Sequence, residues 1–168
     1  MKVSQYAGKK LEINAEVEII SLRDYPLQDI VGGRYADKID SVDEFNDRFL
    51  DADGILFVIP EYNGGFPGLL KMFFDYLPFP RALKGFPVSL IGEAAGAFGA
   101  LRPVEQFSQL LTYRNAIIFP EQMLIQRVND TFDLETGLKD ERQQKFLDAQ
   151  LEKFPEFVKK HSRELVDL

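Results

Sequence analysis

The hydrophobic positions of the chain follow two spacings in turn, and their order predicts the fold. Helical spacing opens the sequence at residues 2–13, where Val3, Ala7 and Leu11 recur with lysines between them. Further helical patterns cover residues 41–51, 68–77, 101–111 and 140–168, and apolar runs between them predict strands at residues 16–22, 54–60, 86–93 and 115–120. This alternation predicts an α/β fold, a three-layer, doubly wound parallel sheet of about four strands and five helices, as a single domain over residues 1–168.

Composition and charge exclude several classes of function. The 168 residues include no cysteine and a single histidine, His161, which excludes disulfides, cysteine nucleophiles, thiolate metal sites and multi-histidine metal sites. The net charge of −7 and the lack of any long Lys/Arg run argue against nucleic-acid binding. No signal peptide and no run long enough to span a membrane is present in the sequence, so we expect a cytoplasmic protein that does not bind membranes.

The loops that follow two of the predicted strands are the expected place for a ligand. In doubly wound sheets, ligands bind beyond the carboxyl ends of the strands. The loop after residues 54–60 has the sequence PEYNGG, and its glycines allow backbone N–H groups to approach the edge of a flat aromatic cofactor because no Cβ intervenes. Tyr62 or Phe66 could lie against such a ring. The alternative is an ordinary strand-to-helix turn with a solvated tyrosine.

The longer string PEYNGGFPGLLKMFFDYL resembles the signature of a known family. Its P-E-Y-N, P-G, L-K and aspartate-aromatic elements are similar to those of the NADPH-dependent FMN reductase family, which is flavodoxin-like. AEVEIISLRDYPL, ALKGFPVSLIGEAAGAFGALR and FDLETGLKDERQQKFL resemble other parts of the same family, so the resemblance spans essentially the whole chain. It implies a flavodoxin-like fold, FMN as cofactor, NAD(P)H as co-substrate, and electron transfer through the flavin to a quinone-like or other small acceptor.

The resemblance also implies which residues hold the flavin. In the family the P-E-Y-N loop binds the ring and the loop after the next strand lies against it, which assigns to FMN the residues Pro60, Glu61, Tyr62, Asn63, Gly64, Glu93, Ala94 and Gly96. No catalytic acid or base and no metal is implied, because the flavin carries the chemistry.

The second of these loops departs from the family pattern. In GEAAGAFGA, Glu93 and two alanines stand where the family has a serine-rich stretch. A carboxylate close to the flavin would disfavour its anionic reduced form. The alternative is that Glu93 points into solvent.

The beginning of the sequence departs from the pattern as well. The family opens with a strand and a G-S-x-R-x-x-S-x-N loop that binds the FMN phosphate, whereas MKVSQYAGKKL resembles the helix after that loop. We therefore expect the first strand and the phosphate loop to be lacking, and residues 16–22 and 54–60 to have unpaired edges. Two explanations stay open: a sequence that starts downstream of the true start, which we favour, or a natural short form with weak FMN binding.

The helix at residues 68–77 predicts an interface between subunits. Only Lys71 and Asp75 in it are polar, whereas a helix on one face of a sheet needs a single apolar stripe. Together with the family's dimerisation through this helix, the pattern predicts a homodimer or tetramer. Two other functions stay open: a non-catalytic flavodoxin-like subunit, and a protein that binds a different planar aromatic molecule.

Overall fold

The computed structural model describes residues 2–31, 33–35, 37–79 and 81–161, with Arg81 described by its backbone alone. The α-helices are α1 (Lys2–Leu11), α2 (Leu27–Ile30), α3 (Asp40–Leu50), α4 (Gly68–Asp75), α5 (Leu101–Tyr113), α6 (Val128–Thr131) and α7 (Glu141–Lys160). The strands are β1 (Ile55–Pro60), β2 (Pro87–Glu93), β3 (Ile117–Ile118), β4 (Met123–Ile125), β5 (Phe132–Asp133) and β6 (Gly137–Leu138). Short 3₁₀ turns lie at Leu22–Asp24 and Arg81–Leu83.

The main sheet is parallel and has β2 at its centre. β1 pairs with one edge of β2 in the register Ile55↔Val88 through Pro60↔Glu93. Both β3 and β4 pair with the other edge of β2, β3 near its start and β4 near its end. The predicted parallel α/β fold is confirmed, and all strands of this sheet end on the side where the predicted ligand loops lie. A small antiparallel hairpin, β5–β6, was not predicted.

Two apolar clusters cover the two faces of the sheet. Successive side chains of a strand point to opposite faces, and in β2 Leu90 packs with α3, α4 and α5, whereas Ile91 packs with α1 and α7. The α3–α5 cluster includes Phe45, Phe49, Leu70, Phe73, Val104, Phe107 and Leu111, and the α1–α7 cluster includes Val3, Ala7, Leu11, Leu147, Leu151 and Phe154. Many phenylalanines of the chain are thus used to fill the layers on either side of one central strand.

A buried glutamine fastens α7 to the sheet. The Gln150 side chain donates to the Ser89 hydroxyl at 2.9 Å and to the Leu90 carbonyl oxygen at 2.8 Å, and it accepts from the Met123 N–H at 3.0 Å. Each of these groups would otherwise be a buried polar atom without a partner. The three bonds therefore satisfy hydrogen-bonding groups of the sheet and of α7 at the same time.

The strand predicted at residues 16–22 is wrong. Residues 16–21 belong to no ladder, and Leu22 begins a 3₁₀ turn. The apolar, β-branched composition that indicated a strand does make the chain extended, but a strand also requires a neighbouring strand with which to exchange hydrogen bonds. The described chain offers none beside these residues.

The last predicted elements are shorter in the structure. The strand predicted at residues 115–120 is reduced to Ile117–Ile118, and α7 ends at Lys160. Residues 162–168 of the predicted last helix lie outside the described residues.

Replacing Tyr25 by phenylalanine is expected to raise the free energy of unfolding by about 1 kcal/mol at neutral pH. The Tyr25 ring is 3% exposed and lies edge-on to Phe45 and Phe73, but its hydroxyl is buried without a hydrogen-bond partner in the described chain. Chemical denaturation measures the gain, with Tyr113→Phe, at a 73% exposed site, as the control that should show none.

The same substitution has a pH signature. Burial raises the pKa of Tyr25 from 10.0 to about 12, so the wild-type protein loses stability as pH rises from 10 towards 12, because the unfolded phenol ionises first. Tyr25→Phe should lack this loss. If the variant were less stable than the wild-type protein at neutral pH, the Tyr25 hydroxyl would have to make a favourable interaction, and the prediction would be wrong.

Candidate functional site

Three loops lie together at the carboxyl end of the sheet. The register places Pro60 opposite Glu93, and the Glu61 N–H donates to the Glu93 carbonyl oxygen at 3.0 Å, one residue beyond β1. The loop after β4 joins them, because the Ala94 N–H donates to the Ile125 carbonyl oxygen at 3.0 Å. The loops after residues 60 and 93, which the sequence predicts to be neighbours, are therefore in contact.

A tight turn forms the tip of the first loop. Tyr62 and Gly65 exchange two backbone hydrogen bonds, of 2.8 and 3.0 Å. Between them Asn63 and Gly64 have φ values of 52° and 76°, which makes this a type I′ turn, for which Asn-Gly is a preferred sequence. The N–H groups of Asn63 and Gly64 have no hydrogen-bond partner among the described residues. No atom lies within 4 Å of where a Cβ on Gly64 would be, so a ligand can approach these donors closely.

The Glu61 carboxylate connects this loop to α5. Its Oε2 accepts a hydrogen bond from the Ala100 N–H at 3.2 Å, and Ala100 is the residue that precedes the first turn of α5. A carboxylate at this position stabilises the start of a helix through the free N–H groups there. The Glu61 carboxylate therefore has a structural role, because it fixes the position of the turn relative to α5.

The second loop is partly fixed and partly open. Ala94 is buried, and it uses both backbone groups, since its carbonyl oxygen accepts from the Val128 N–H at 2.9 Å. The Gly96 carbonyl oxygen accepts from the Arg127 N–H at 2.9 Å, but no atom lies within 4 Å of where a Cβ on Gly96 would be. Ala94 therefore anchors the loop, while Gly96 leaves room for a bound group.

Close backbone packing holds the far part of this loop against β2. A Cβ on Gly92 would lie 2.8 Å from the Gly99 carbonyl oxygen, so only glycine fits at that point of the strand. Gly99 and Ala100 both have positive φ, 60° and 62°, and they turn the chain into α5. Left-handed alanine is costly, and such conformations concentrate at functional sites.

Glu93 ends β2 with a partly buried side chain. Alternation along the strand places it on the same face as Ser89 and Ile91, which contact α7 and the α1–α7 cluster. Burial raises the pKa of its carboxyl above the ordinary value of 4.5. The alternative of a fully solvated Glu93 is therefore wrong.

Replacing Glu93 by glutamine is expected to raise Tm at neutral pH and to leave it unchanged in acid. A carboxyl whose pKa is raised by burial keeps its full contribution to stability below the ordinary pKa and loses it as pH rises through the raised value. The amide does not ionise, so the gain of Glu93→Gln should appear only above that range. Scanning calorimetry at about pH 4 and pH 7.5 tests this, with the exposed Glu105→Gln as control; a gain that is equal at both pH values would contradict it.

The two aromatic residues predicted to flank a ring differ in their surroundings. Phe66 is partly buried and packs against the α3–α5 cluster, with its ring 5.5 Å from that of Phe107. Tyr62 is 63% exposed at the tip of the turn. Phe98 was missed: it is 59% exposed in the second loop, and the Arg102 guanidinium lies 4.6 Å from its ring centre. One indication of Phe98 as a candidate was present in the sequence, because it is the single aromatic residue among the small residues of GEAAGAFGA.

The remaining candidates lie elsewhere or form no site. His161 follows α7, where its Nδ1 lies 2.8 Å from the Phe157 carbonyl oxygen. The neighbouring Val158 packs against Gly54, just before β1 and thus at the opposite end of the sheet from the loops. In the described ranges no three acidic or histidine side chains are grouped as a metal site requires, and no helix there is both long and apolar enough to cross a bilayer.

The comparisons with known proteins agree on one family. The sequence model described as NADPH-dependent FMN reductase matches residues 1–130. Among characterised relatives, the NADH-dependent flavin reductase subunit 2 of Lactobacillus johnsonii is 28% identical over 165 residues, which cover 93% of this chain and 88% of the relative. A quinone reductase of Escherichia coli is 29% identical over 158 residues, covering 92% of this chain and 82% of that protein.

Solved structures show the same fold. FerB, a flavoenzyme NAD(P)H:(acceptor) oxidoreductase from Paracoccus denitrificans, superposes with a TM-score of 0.80 at 25% identity, covering 96% of this chain and 90% of FerB. An apo NADH:FMN oxidoreductase superposes with a TM-score of 0.75 at 18% identity, over 93% of this chain and 80% of that one.

Proposed function

Because the chain belongs to the NADPH-dependent FMN reductase family, we propose that it binds FMN and uses NAD(P)H to reduce a quinone-like or other small acceptor. Relatives named as flavin and quinone reductases support this reaction class.

The observation that carries the proposal is the type I′ turn at the carboxyl end of β1. A flavin ring has nitrogen and oxygen acceptors along one edge, and the turn offers the N–H groups of Asn63 and Gly64 without competing partners in the described chain. Because Gly64 has no side chain and open space beside it, the ring edge can come within hydrogen-bonding distance.

The eight residues assigned from the sequence take different parts in this proposal. The Asn63 and Gly64 amides donate to the ring, Tyr62 lies against it, and Gly96 leaves space for it. Pro60 ends β1 and sets where the turn begins. Glu61 and Ala94 hold the loops through the Ala100, Ile125 and Val128 contacts, and Glu93 places a carboxyl beside the site. The eight residues are assigned through the resemblance to the family, and the loop contacts support the roles proposed for them.

The chain's own part in the reaction is positioning. A bound FMN would supply the hydride-transfer and electron-transfer chemistry between NAD(P)H and the acceptor, and the Asn63 and Gly64 amides would hold its ring. The protein holds the ring edge at the turn and keeps the approach to the ring open, and no acid or base from the chain is required. The partly buried Glu93 disfavours additional negative charge nearby.

We also propose a homodimer, or a tetramer built from it, formed through α4 and the residues that follow to Leu77. Leu69 and Met72 on α4 are only partly buried although they are apolar, and Tyr76 lies beside the 65% exposed Tyr35. A second subunit would cover this surface. We propose that the protein is cytoplasmic, in keeping with its family, and that residues 1–168 form one domain, in keeping with the alternating pattern of helices and strands.

Titration of the purified protein with FMN tests the proposal. We expect saturable quenching of flavin fluorescence at micromolar FMN and, with FMN bound, NADH- or NADPH-dependent reduction of a benzoquinone. Lumiflavin, which keeps the isoalloxazine ring but has no ribityl phosphate, should compete for the same site. FMN binding without reduction of the quinone would favour the non-catalytic subunit, and no binding would contradict the proposal.

A further inference from the structure

An exposed aromatic ring and an arginine side chain stack on each other at the start of α5. The Phe98 side chain is 59% exposed, and the Arg102 guanidinium lies 4.6 Å from its ring centre. The Leu101 N–H donates to the Phe98 carbonyl oxygen at 3.1 Å, so Phe98 lies in the turn that leads into α5. Helical side chains lean towards the N-terminus of their helix, which brings Arg102 back over Phe98. Much of the Phe98 ring remains open to a planar ligand.

The same part of α5 contacts the type I′ turn on both of its sides. Before the turn, the Glu61 carboxylate accepts from the Ala100 N–H. At its end, a Cβ on Gly65 would lie 3.3 Å from the Gln106 Oε1 atom. Arg102 lies between these two contact points and four residues before Gln106, and residues four apart share one face of a helix. Arg102 therefore lies on the face of α5 that meets the turn.

Arg102 carries a positive charge that no described residue neutralises. Its guanidinium forms no ion pair and no hydrogen bond with any residue that the structure describes. The exposed Arg127 side chain also lacks an ion pair there, and the Arg127 N–H bonds to the carbonyl oxygen of Gly96 in the second loop. In a chain with a net charge of −7, two such cations beside one loop create a local positive potential.

We propose that Phe98 and Arg102 form a subsite for the electron acceptor, in which Phe98 stacks on a planar ring and Arg102 pairs with a negative group on that ring. The subsite rests on the proposed function, because the acceptor has to reach an FMN ring held at the turn. It selects flat aromatic acceptors that carry a carboxylate, a sulfonate or an ionised hydroxyl group. A guanidinium can stack on an aromatic face and donate to an oxyanion at the same time.

Calorimetric titration of the FMN-loaded full chain tests the subsite. The probes are naphthalene-2-sulfonate and naphthalene-2-sulfonamide, which share a ring and nearly a shape but differ by one negative charge at neutral pH. Neither is reduced, so binding is measured without turnover. We expect the wild-type protein to bind the sulfonate about three- to tenfold more tightly than the sulfonamide, as for one partly screened ion pair with hydrogen bonds.

Two substitutions separate the parts of the subsite. Arg102→Gln should weaken binding of the sulfonate alone and abolish the preference between the probes. Phe98→Leu should weaken binding of both probes alike, by about two- to tenfold, because it removes the stacking surface and keeps the charge. Both side chains are exposed, so the Tm of each variant should stay close to that of the wild-type protein.

Arg142 and Phe146 provide a matched control pair on α7. The Arg142 guanidinium lies 5.8 Å from the Phe146 ring centre, and Phe146 is 59% exposed, as Phe98 is. This pair belongs to the helix layer on the other face of the sheet. Arg142→Gln and Phe146→Leu change the net charge and the exposed aromatic surface as the test substitutions do, and they should leave the binding of both probes unchanged.

Four results would overturn the subsite. Equal affinities of the wild-type protein for the two probes would show that it does not select charge. Equal losses in Arg102→Gln and Arg142→Gln would indicate an effect of net charge alone. A weaker Kd for FMN or a higher KM for NADH in Arg102→Gln, with the probe preference unchanged, would assign Arg102 to one of those molecules. Unchanged binding of both probes by Phe98→Leu would show that the ring does not stack.

Titration with FMN alone distinguishes failure of the subsite from failure of the proposed function. A wild-type protein that does not bind FMN would contradict the proposed function and the subsite with it. A wild-type protein that binds FMN and reduces the benzoquinone, but does not distinguish the two probes, would contradict the subsite alone.

Discussion

Replacing Gly64 by valine is expected to weaken FMN binding at least tenfold. Gly64 has a φ of 76°, and left-handed conformation costs a residue with a Cβ roughly 1–2 kcal/mol, most for β-branched side chains. The turn would then relax away from the arrangement that presents the Asn63 and Gly64 amides, and the new side chain would fill the space beside them. A loss of about 1.4 kcal/mol in binding is a tenfold rise in Kd, which fluorescence titration with FMN measures directly.

Gly85→Val is the matched control for this prediction. Gly85 has a φ of 70°, with no atom within 4 Å of its Cβ position, but it lies just before β2, at the other end of the sheet from the loops. Both substitutions should therefore cost similar stability, and only Gly64→Val should change the Kd for FMN. Equal Kd values of the two variants for FMN would show that the turn is not part of the FMN site.

Replacing Phe107 by alanine is expected to cost about 3–5 kcal/mol in the free energy of unfolding. Phe107 is 0% exposed, and its ring lies 5.0–5.5 Å from those of Phe57, Phe66 and Phe74. Truncation to alanine would therefore leave a cavity that borders β1, the first loop and α4. Since small domains are stable by only about 5–15 kcal/mol, guanidinium denaturation should show a large shift in the midpoint.

The matched control for this second prediction is Phe146→Ala. Phe146 lies on α7 and is 59% exposed, so the same truncation there removes little buried surface and should cost under about 1 kcal/mol. Phe107→Leu should fall between the two, because it keeps most of the volume. Similar losses for Phe107→Ala and Phe146→Ala would contradict the central position of Phe107 in the α3–α5 cluster.

The elements that sequence alone predicts well are those fixed by local pattern. The run GILFVIP is long and apolar, and it forms β1 as expected. The Asn-Gly pair specifies its turn, because few other pairs adopt two positive φ values in succession. The helical spacing of Leu101, Val104 and Phe107 likewise forms α5. In each case the determining interactions lie within a few residues of one another.

The parts that sequence did not predict depend on distant partners. Residues 16–22 have strand composition, but whether a strand forms depends on a neighbour that composition does not reveal. The spacing of Leu147, Leu151 and Phe154 places Gln150 on the buried face of α7. The partners of its three hydrogen bonds, Met123, Ser89 and Leu90, lie far away in the sequence and are not revealed by that spacing. The bond between Glu61 and Ala100 crosses 39 residues. For Glu93, only the packing of the neighbouring layer distinguishes a partly buried carboxyl from a solvated one.

The bond between the Glu61 carboxylate and the Ala100 N–H has a consequence for affinity. Ordering a flexible loop at the moment of association costs about 1–2 kcal/mol of backbone entropy for each residue. Here that entropy is already lost when the domain folds, because α5 and the two exchanged bonds of the turn restrain the loop beforehand. A rigid receptor of this kind can bind with few direct contacts, since little of their energy is offset by ordering.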